Sequence, residues 1–175
     1  GGDFFARTVV IATGAGARKL GLPDEERLTG RGVGYCAHCD GMFYRGKTVA
    51  VIGGGNSAAA EALHLSRIAR KVILIHRRDT LRATKIYHAP LFAADNVEFY
   101  WNSSVSALLG EDSFRGVMIR NLLTGEETKL DCDGVFVSIG RKPASEVFVG
   151  QVEVDESGYI IADEPTRTNL PGVFA

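Results

Sequence analysis

Two short stretches of the chain, residues 48–52 and 72–75, are apolar or β-branched at nearly every position. Runs of this length predict strands covered on both faces. Between them, residues 56–69 carry Ala58, Ala62, Leu65 and Ala69 at three- and four-residue intervals, which predicts a helix with one apolar face. Strand, helix and strand together form a βαβ unit of about 30 residues with a right-handed crossover. Residues 83–94 predict a second helix, interrupted near Pro90, and residues 97–100 a further strand. Residues 103–109, 114–121 and 127–130 read as a β-meander with a turn at Thr124-Gly125-Glu126, and residues 133–139 as another buried strand. Near the N-terminus, residues 7–12 predict a short buried strand ending in the turn Thr13-Gly14-Ala15-Gly16. Residues 20–34 hold glycines at 21, 30, 32 and 34, a proline and several charges, and read as a loop or linker. Gly140-Arg141-Lys142-Pro143 breaks the pattern. The expected architecture is α/β, in three layers. A central parallel sheet has helices on one face and the small β-meander on the other.

A length of 175 residues fits one domain, or one domain with appendages, and 45% hydrophobic residues suffice for a core. The net charge of −1 gives no reason to expect nucleic acid or an anionic membrane as partner. No apolar run approaches the ~18 residues of a membrane span. No basic segment followed by a long apolar one marks a signal peptide. The chain stops within the apolar run Val173-Phe174-Ala175, which reads as a piece of a longer protein.

Gly53-Gly54-Gly55-Asn56-Ser57-Ala58 follows the first strand and opens the helix. It matches G-x-G-x-x-A, and the context makes it a dinucleotide-binding turn in a Rossmann-like domain. Gly53 permits the tight turn, Gly55 lets a pyrophosphate approach the backbone, and Ala58 keeps helix and sheet close. The helix N-terminus offers N–H donors and the positive end of its dipole. An NAD site usually carries an acidic residue about 20 residues on, to hold the ribose 2′-hydroxyl. Here His76-Arg77-Arg78 stands in that place, with Arg82 a turn later and Asp79 beside them. Guanidinium groups suit the 2′-phosphate of NADP(H). The bland alternative is a solvated basic loop.

The chain has three cysteines, a low and odd number that points to a reducing compartment, the cytoplasm, more than to a secreted disulfide framework. Cys36-Ala37-His38-Cys39 lets two thiols close a small ring, or one attack while the other resolves. A zinc site would need four ligands, and the second pair is missing, so no metal is expected. His38 is either a stabiliser of a neighbouring thiolate or a solvent-facing filler. Asp40 is either an acid that protonates a thiolate or flavin nitrogen, or a turn residue before Gly41. Cys132 reads as an inert core thiol, and His64 as a packed helix residue.

The ordered set of motifs resembles the low-molecular-weight thioredoxin reductase family. It comprises 8–15 (Thr-Val-Val-Ile-Ala-Thr-Gly-Ala), Cys36-Ala37-His38-Cys39-Asp40-Gly41, the glycine turn with Glu61-Ala62, and His76-Arg77-Arg78 with Arg82-Ala83. It closes with Gly140-Arg141-x-Pro143 and 170–175 (Leu-Pro-Gly-Val-Phe-Ala). The resemblance covers nearly the whole chain. It implies residues 20–145 as an NADPH domain carrying the redox pair, with residues 1–19 and 146–175 as remnants of an FAD domain. It implies electron flow from NADPH through FAD to a Cys36–Cys39 disulfide and on to thioredoxin or a thioredoxin-like dithiol protein. Cys39 would face the flavin, Cys36 would attack the partner and Asp40 would donate the proton. Residues Asn56 to Glu61 would hold the nicotinamide half, Gly140 would add to the cofactor site, and Thr13 and Gly14 would belong to the flavin domain's edge. The longer protein would be a homodimer. The family's N-terminal FAD motif is absent, so this chain alone is expected to bind NADPH without holding FAD and to be inactive by itself. Two positions depart from the pattern: His38 stands where Thr is frequent, and Ala60 where an acidic residue is frequent. Rival readings are a stand-alone NADP(H)-binding module and the reductase of a peroxiredoxin. A ferredoxin-type relative would lack the cysteine pair.

Overall fold

The computed structural model describes residues 2–175 and divides into two compact units, one spanning Ala17–Gly140, the other joining the chain before Ala17 to Arg141–Ala175. In chain order the elements are β1 (Val9–Val10), β2 (Ala15–Ala17), α1 (Glu25–Leu28), β3 (Val33–Gly34), α2 (Ala37–Asp40), β4 (Thr48–Ile52), α3 (Asn56–Ser66), β5 (Lys71–Ile75), α4 (His88–Phe92), β6 (Val97–Tyr100), β7 (Ser103–Leu109), β8 (Gly116–Asn121), β9 (Glu127–Asp131), β10 (Gly134–Val137), β11 (Arg141–Pro143) and β12 (Val173–Phe174).

The larger unit is built on a five-stranded parallel sheet in the order β3-β10-β4-β5-β6. Successive side chains of a strand point to opposite faces, and both faces here are apolar. Ala50, Ile52, Ile73, Ile75, Val135 and Val137 meet Leu108, Val117, Ile119 and Leu130 of the antiparallel meander β7-β8-β9. Val49, Val51, Val72, Leu74 and Phe136 meet α3 and α4 through Ala58, Ala59, Ala62, Leu65 and Leu91. The three layers expected from the sequence are therefore present. The small alanine face of α3 lets the helix lie close to the sheet.

Some expectations needed correction. Residues 20–34 are not all loop: they contain α1 and β3. A four-residue helix is too short to show a period. It is held instead by Glu25, buried, whose carboxylate accepts from the Leu20 and Gly21 amides at 2.9 and 2.8 Å and from the Tyr35 hydroxyl at 2.8 Å. Burial acts to raise the Glu25 pKa, but these hydrogen bonds outweigh it and the net shift is downward. Pro90 does not interrupt a helix. It sits in the first turn of α4, where its missing N–H is not needed, and the irregular stretch is the 3-10 turn Lys85–Tyr87 just before. The strand expected at 7–12 shrinks to β1, paired in parallel only with β12. Nor is it buried: Val9 and Val10 are 49% and 70% exposed, because a two-stranded ribbon covers neither of its own faces. The segment after Gly140 continues as β11, paired with β2.

Candidate functional site

The glycine turn lies where β4 ends and α3 begins. Gly53 has φ +141°, which L side chains rarely adopt, and the space a Cβ would take is filled by the Ser138 carbonyl and by Ala58. Gly54 is closed in the same way by the His76 ring. At Gly55, by contrast, nothing lies within 4 Å of the Cβ position. Gly55 is also the N-cap of α3 and contributes no side-chain cap. The turn is thus packed at two glycines and open at the third, where the first-turn amides of the 11-residue helix begin.

The segment after β5 is tied back onto this turn. The Arg82 and Ala83 amides donate to the Gly54 carbonyl at 2.7 and 3.0 Å, and the Thr84 amide donates to Asn56 Oδ1 at 2.8 Å. Arg77, Arg78 and Arg82 are exposed beside it. His76 is not: it is 6% exposed, lies against Gly54, meets Trp101 edge-on, and its Nε2 has no hydrogen-bond partner. Its pKa is lowered by burial and then by Arg77 and Arg78, partly opposed by a backbone hydrogen bond at Thr80. Three exposed guanidinium groups and an open helix start fit a dinucleotide phosphate.

Cys36 and Cys39 form a disulfide, S–S 2.11 Å and Cα–Cα 5.3 Å. Cys36 caps α2: its backbone is extended and its Sγ accepts from the Cys39 amide at 3.2 Å. Cys39, His38 and Asp40 are exposed, and Ala37 is buried. Helix α2 rests on the same α3 that starts at the glycine turn. The Ala37 amide donates to Glu61 Oε1 at 3.4 Å, the His38 ring stacks on His64 at 4.4 Å, and Gly41 packs against Leu65 and His64. Glu61 is 8% exposed, and its second oxygen accepts from the Ser138 hydroxyl beside the glycine turn. Both Glu61 oxygens are therefore engaged within the protein. The His stack and the Glu61 bridge were not legible in sequence, since nothing in the spacing of residues 36–39 and 61–64 relates them.

Thr13 and Gly14 belong to the other unit, where the Thr13 hydroxyl donates to the Ala144 carbonyl at 2.6 Å and the Ala144 amide to the Gly14 carbonyl at 2.9 Å. Gly140 has φ +109°, and its carbonyl accepts from the Arg18 amide at 3.0 Å. Cys132 is buried, and burial followed by Asp133 and Asp131 pushes its thiol up to about 12. Among the described residues no group of three or more His, Cys, Asp or Glu is arranged to hold a metal, and no helix is long and apolar enough to cross a membrane.

Residues 2–175 match the family model described as pyridine nucleotide-disulphide oxidoreductase. The chain belongs to that family. It is 48% identical over 170 residues to the thioredoxin reductase of Streptomyces coelicolor, covering 97% of this chain and 53% of that protein. It is 50% identical over 171 residues to the thioredoxin reductase of Mycolicibacterium smegmatis, covering 97% and 55%. The crystal structure of Lactococcus lactis thioredoxin reductase aligns with a TM-score of 0.88 at 43% identity, covering 95% of this chain and 55% of that one. The chain thus spans about half the length of the curated relatives it matches. The family works with a flavin and a pyridine nucleotide, and the disulfide at Cys36–Cys39 fits the other half of its name.

The two buried or half-buried histidines make stability depend on pH. His64 is also shifted down, by burial and then by His38 and Arg67. With folded values below 6.5, both rings bind a proton more readily in the unfolded chain. Their contribution is therefore lost as pH falls through the unfolded value of about 6.5, and the loss stops growing below the folded values. The urea midpoint should fall between pH 7.5 and pH 5, and His76→Gln should flatten that fall. A midpoint constant over this range would contradict the assignment.

Proposed function

We propose that the chain is the NADPH-binding, redox-disulfide part of a thioredoxin-disulfide reductase. The observation that carries this reading is that one helix, α3, serves both halves of the chemistry. Its N-terminus opens at Gly55 beside three guanidinium groups, and its flank supports the helix that carries Cys36–Cys39. When bound, NADPH would supply two electrons and FAD would relay them. Gly55 with the first-turn amides of Asn56, Ser57 and Ala58 takes the pyrophosphate, and Arg77, Arg78 and Arg82 take the 2′-phosphate. The Cys36–Cys39 bond accepts two electrons and two protons and opens to two thiols. Cys39, the more exposed of the pair, would face the flavin. Cys36 then attacks the disulfide of thioredoxin or a similar dithiol protein, Cys39 resolves the mixed disulfide, and Asp40 supplies the proton to a leaving thiolate. Thr13 and Gly14 lie at the edge of the flavin site, Gly140 beside the cofactor path, and the domain boundaries are those of residues 1–19, 20–145 and 146–175. The longer protein is a homodimer of the cytoplasm, a compartment supported by the low cysteine count.

In the full-length protein, Cys36→Ser is expected to drop NADPH-driven thioredoxin reduction to background while NADP⁺ binding persists. The two are read by a thiol-release assay and by calorimetry. Loss of both would make Cys36 a structural residue and overturn its role as nucleophile.

A further inference from the structure

Glu61 stood in the sequence as a candidate contact of the nicotinamide half, and in the fold each of its oxygens also accepts a hydrogen bond from within the protein. One accepts from the Ala37 amide, the first helical residue after Cys36, and the other from the Ser138 hydroxyl. A nearly buried carboxylate therefore sits one peptide away from a redox sulfur and is joined to it through the hydrogen-bonded backbone. We propose that Glu61 is a positioning residue of the Cys36–Cys39 centre. It fastens the cysteine helix to the dinucleotide helix, and its negative charge delays ionisation of the Cys36 thiol. This rests on the redox role proposed above for the disulfide.

The physical argument is one of charge and place. A thiolate is disfavoured by a neighbouring anion, more so where water is excluded. The other ionisable groups on the elements packed around α2 are His38 and Asp40 on that helix, His64 on α3 with Arg67 at its C-terminal end, and Tyr44 on the turn that follows α2. Asp40 and His38 are exposed and their fields are screened by solvent. Glu61 alone is both buried and bonded to the amide next to Cys36. Ser138 disperses part of its charge by donating to the second oxygen.

The test uses this chain, reduced, and compares wild type with Glu61→Gln and Ser138→Ala. Gln keeps an acceptor for Ala37 and removes the charge. Ser138→Ala keeps the charge and removes the donor that spreads it. Measured with Cys39→Ser also present in each variant, so that Cys36 is the accessible thiol, the rate of iodoacetamide alkylation against pH gives the ionisation midpoint of Cys36. In Glu61→Gln it should fall by about one pH unit, a tenfold change in the acid constant. In Ser138→Ala it should rise. At pH 9 the balance Cys36–Cys39 disulfide + 2 glutathione ⇌ Cys36/Cys39 dithiol + glutathione disulfide should move about tenfold toward dithiol in Glu61→Gln. Two midpoints moving in the same direction would indicate loosened structure alone and overturn the proposal, as would an unmoved midpoint in Glu61→Gln. NADP⁺ titration runs in parallel. Weakened NADP⁺ binding in Glu61→Gln with an unmoved midpoint would return Glu61 to the nucleotide site. Absent NADP⁺ binding in wild type with the opposed shifts intact would sink the dinucleotide reading and leave this inference standing.

Discussion

Changing both Arg77 and Arg78 to alanine is expected to weaken NADP⁺ binding about a hundredfold or more while NAD⁺ binding changes only a few-fold. Both guanidinium groups are exposed at the C-terminal end of β5, on a segment tied by the Arg82 and Ala83 amides to the Gly54 carbonyl. They are therefore held beside the turn without being used by the fold, since neither is needed to fill space or satisfy a buried partner. A charge-assisted hydrogen bond to phosphate contributes roughly 1.5–3 kcal/mol, so two of them account for a hundredfold or more. NAD⁺ lacks the 2′-phosphate and loses little. Because the preference depends on opposite charges, guanidinium and phosphate, the wild-type preference should also shrink as salt is raised. Calorimetry with both nucleotides on wild type and double variant measures all of this. Equal loss for NAD⁺ and NADP⁺ would mean that the arginines support the turn itself and do not read the phosphate.

His76 shows how far such a reading can be taken from sequence. By position it belongs with the two arginines, and in the chain it is their immediate neighbour. In the fold it points the other way, into the space over Gly54, because β5 alternates its faces and His76 continues that alternation. What was legible followed apolar runs, a helical period and local motifs: continuous apolar runs placed β4 and β5, the three- and four-residue spacing placed α3, and the glycine turn fell between strand and helix as its motif requires. What was not legible depends on long-range pairing. Glu61 meets Ala37 and Ser138 across 24 and 77 residues of chain, and nothing local in either segment announces the other. The same holds for α1, which one buried carboxylate holds through Leu20, Gly21 and Tyr35 while its four residues show no period. The exposure of β1 is illegible in the sequence for a related reason. Val9 and Val10 are apolar enough for a core, but composition says nothing about whether a covering layer exists.

The glycines of the turn make an opposed pair of predictions. Gly53→Ala should destabilise the fold by about 3 kcal/mol or more, because the new Cβ meets the Ser138 carbonyl and Ala58 at a φ that alanine rarely adopts. For a unit of this size, that corresponds to a fall in melting temperature of roughly 10 °C. Gly55→Val should cost only about 1 kcal/mol, in lost capping preference, because its backbone is extended at φ −87° and ψ −177° and the space around its Cβ is empty. That empty space is what a pyrophosphate would need. Gly55→Val should therefore abolish measurable NADP⁺ binding in a chain that still melts close to wild type. Thermal denaturation and calorimetry on the two variants separate a glycine required by packing from one required by a ligand. If Gly55→Val kept its NADP⁺ affinity, the turn would not be the pyrophosphate cradle, and the three arginines beside it would have to be read as a solvated loop.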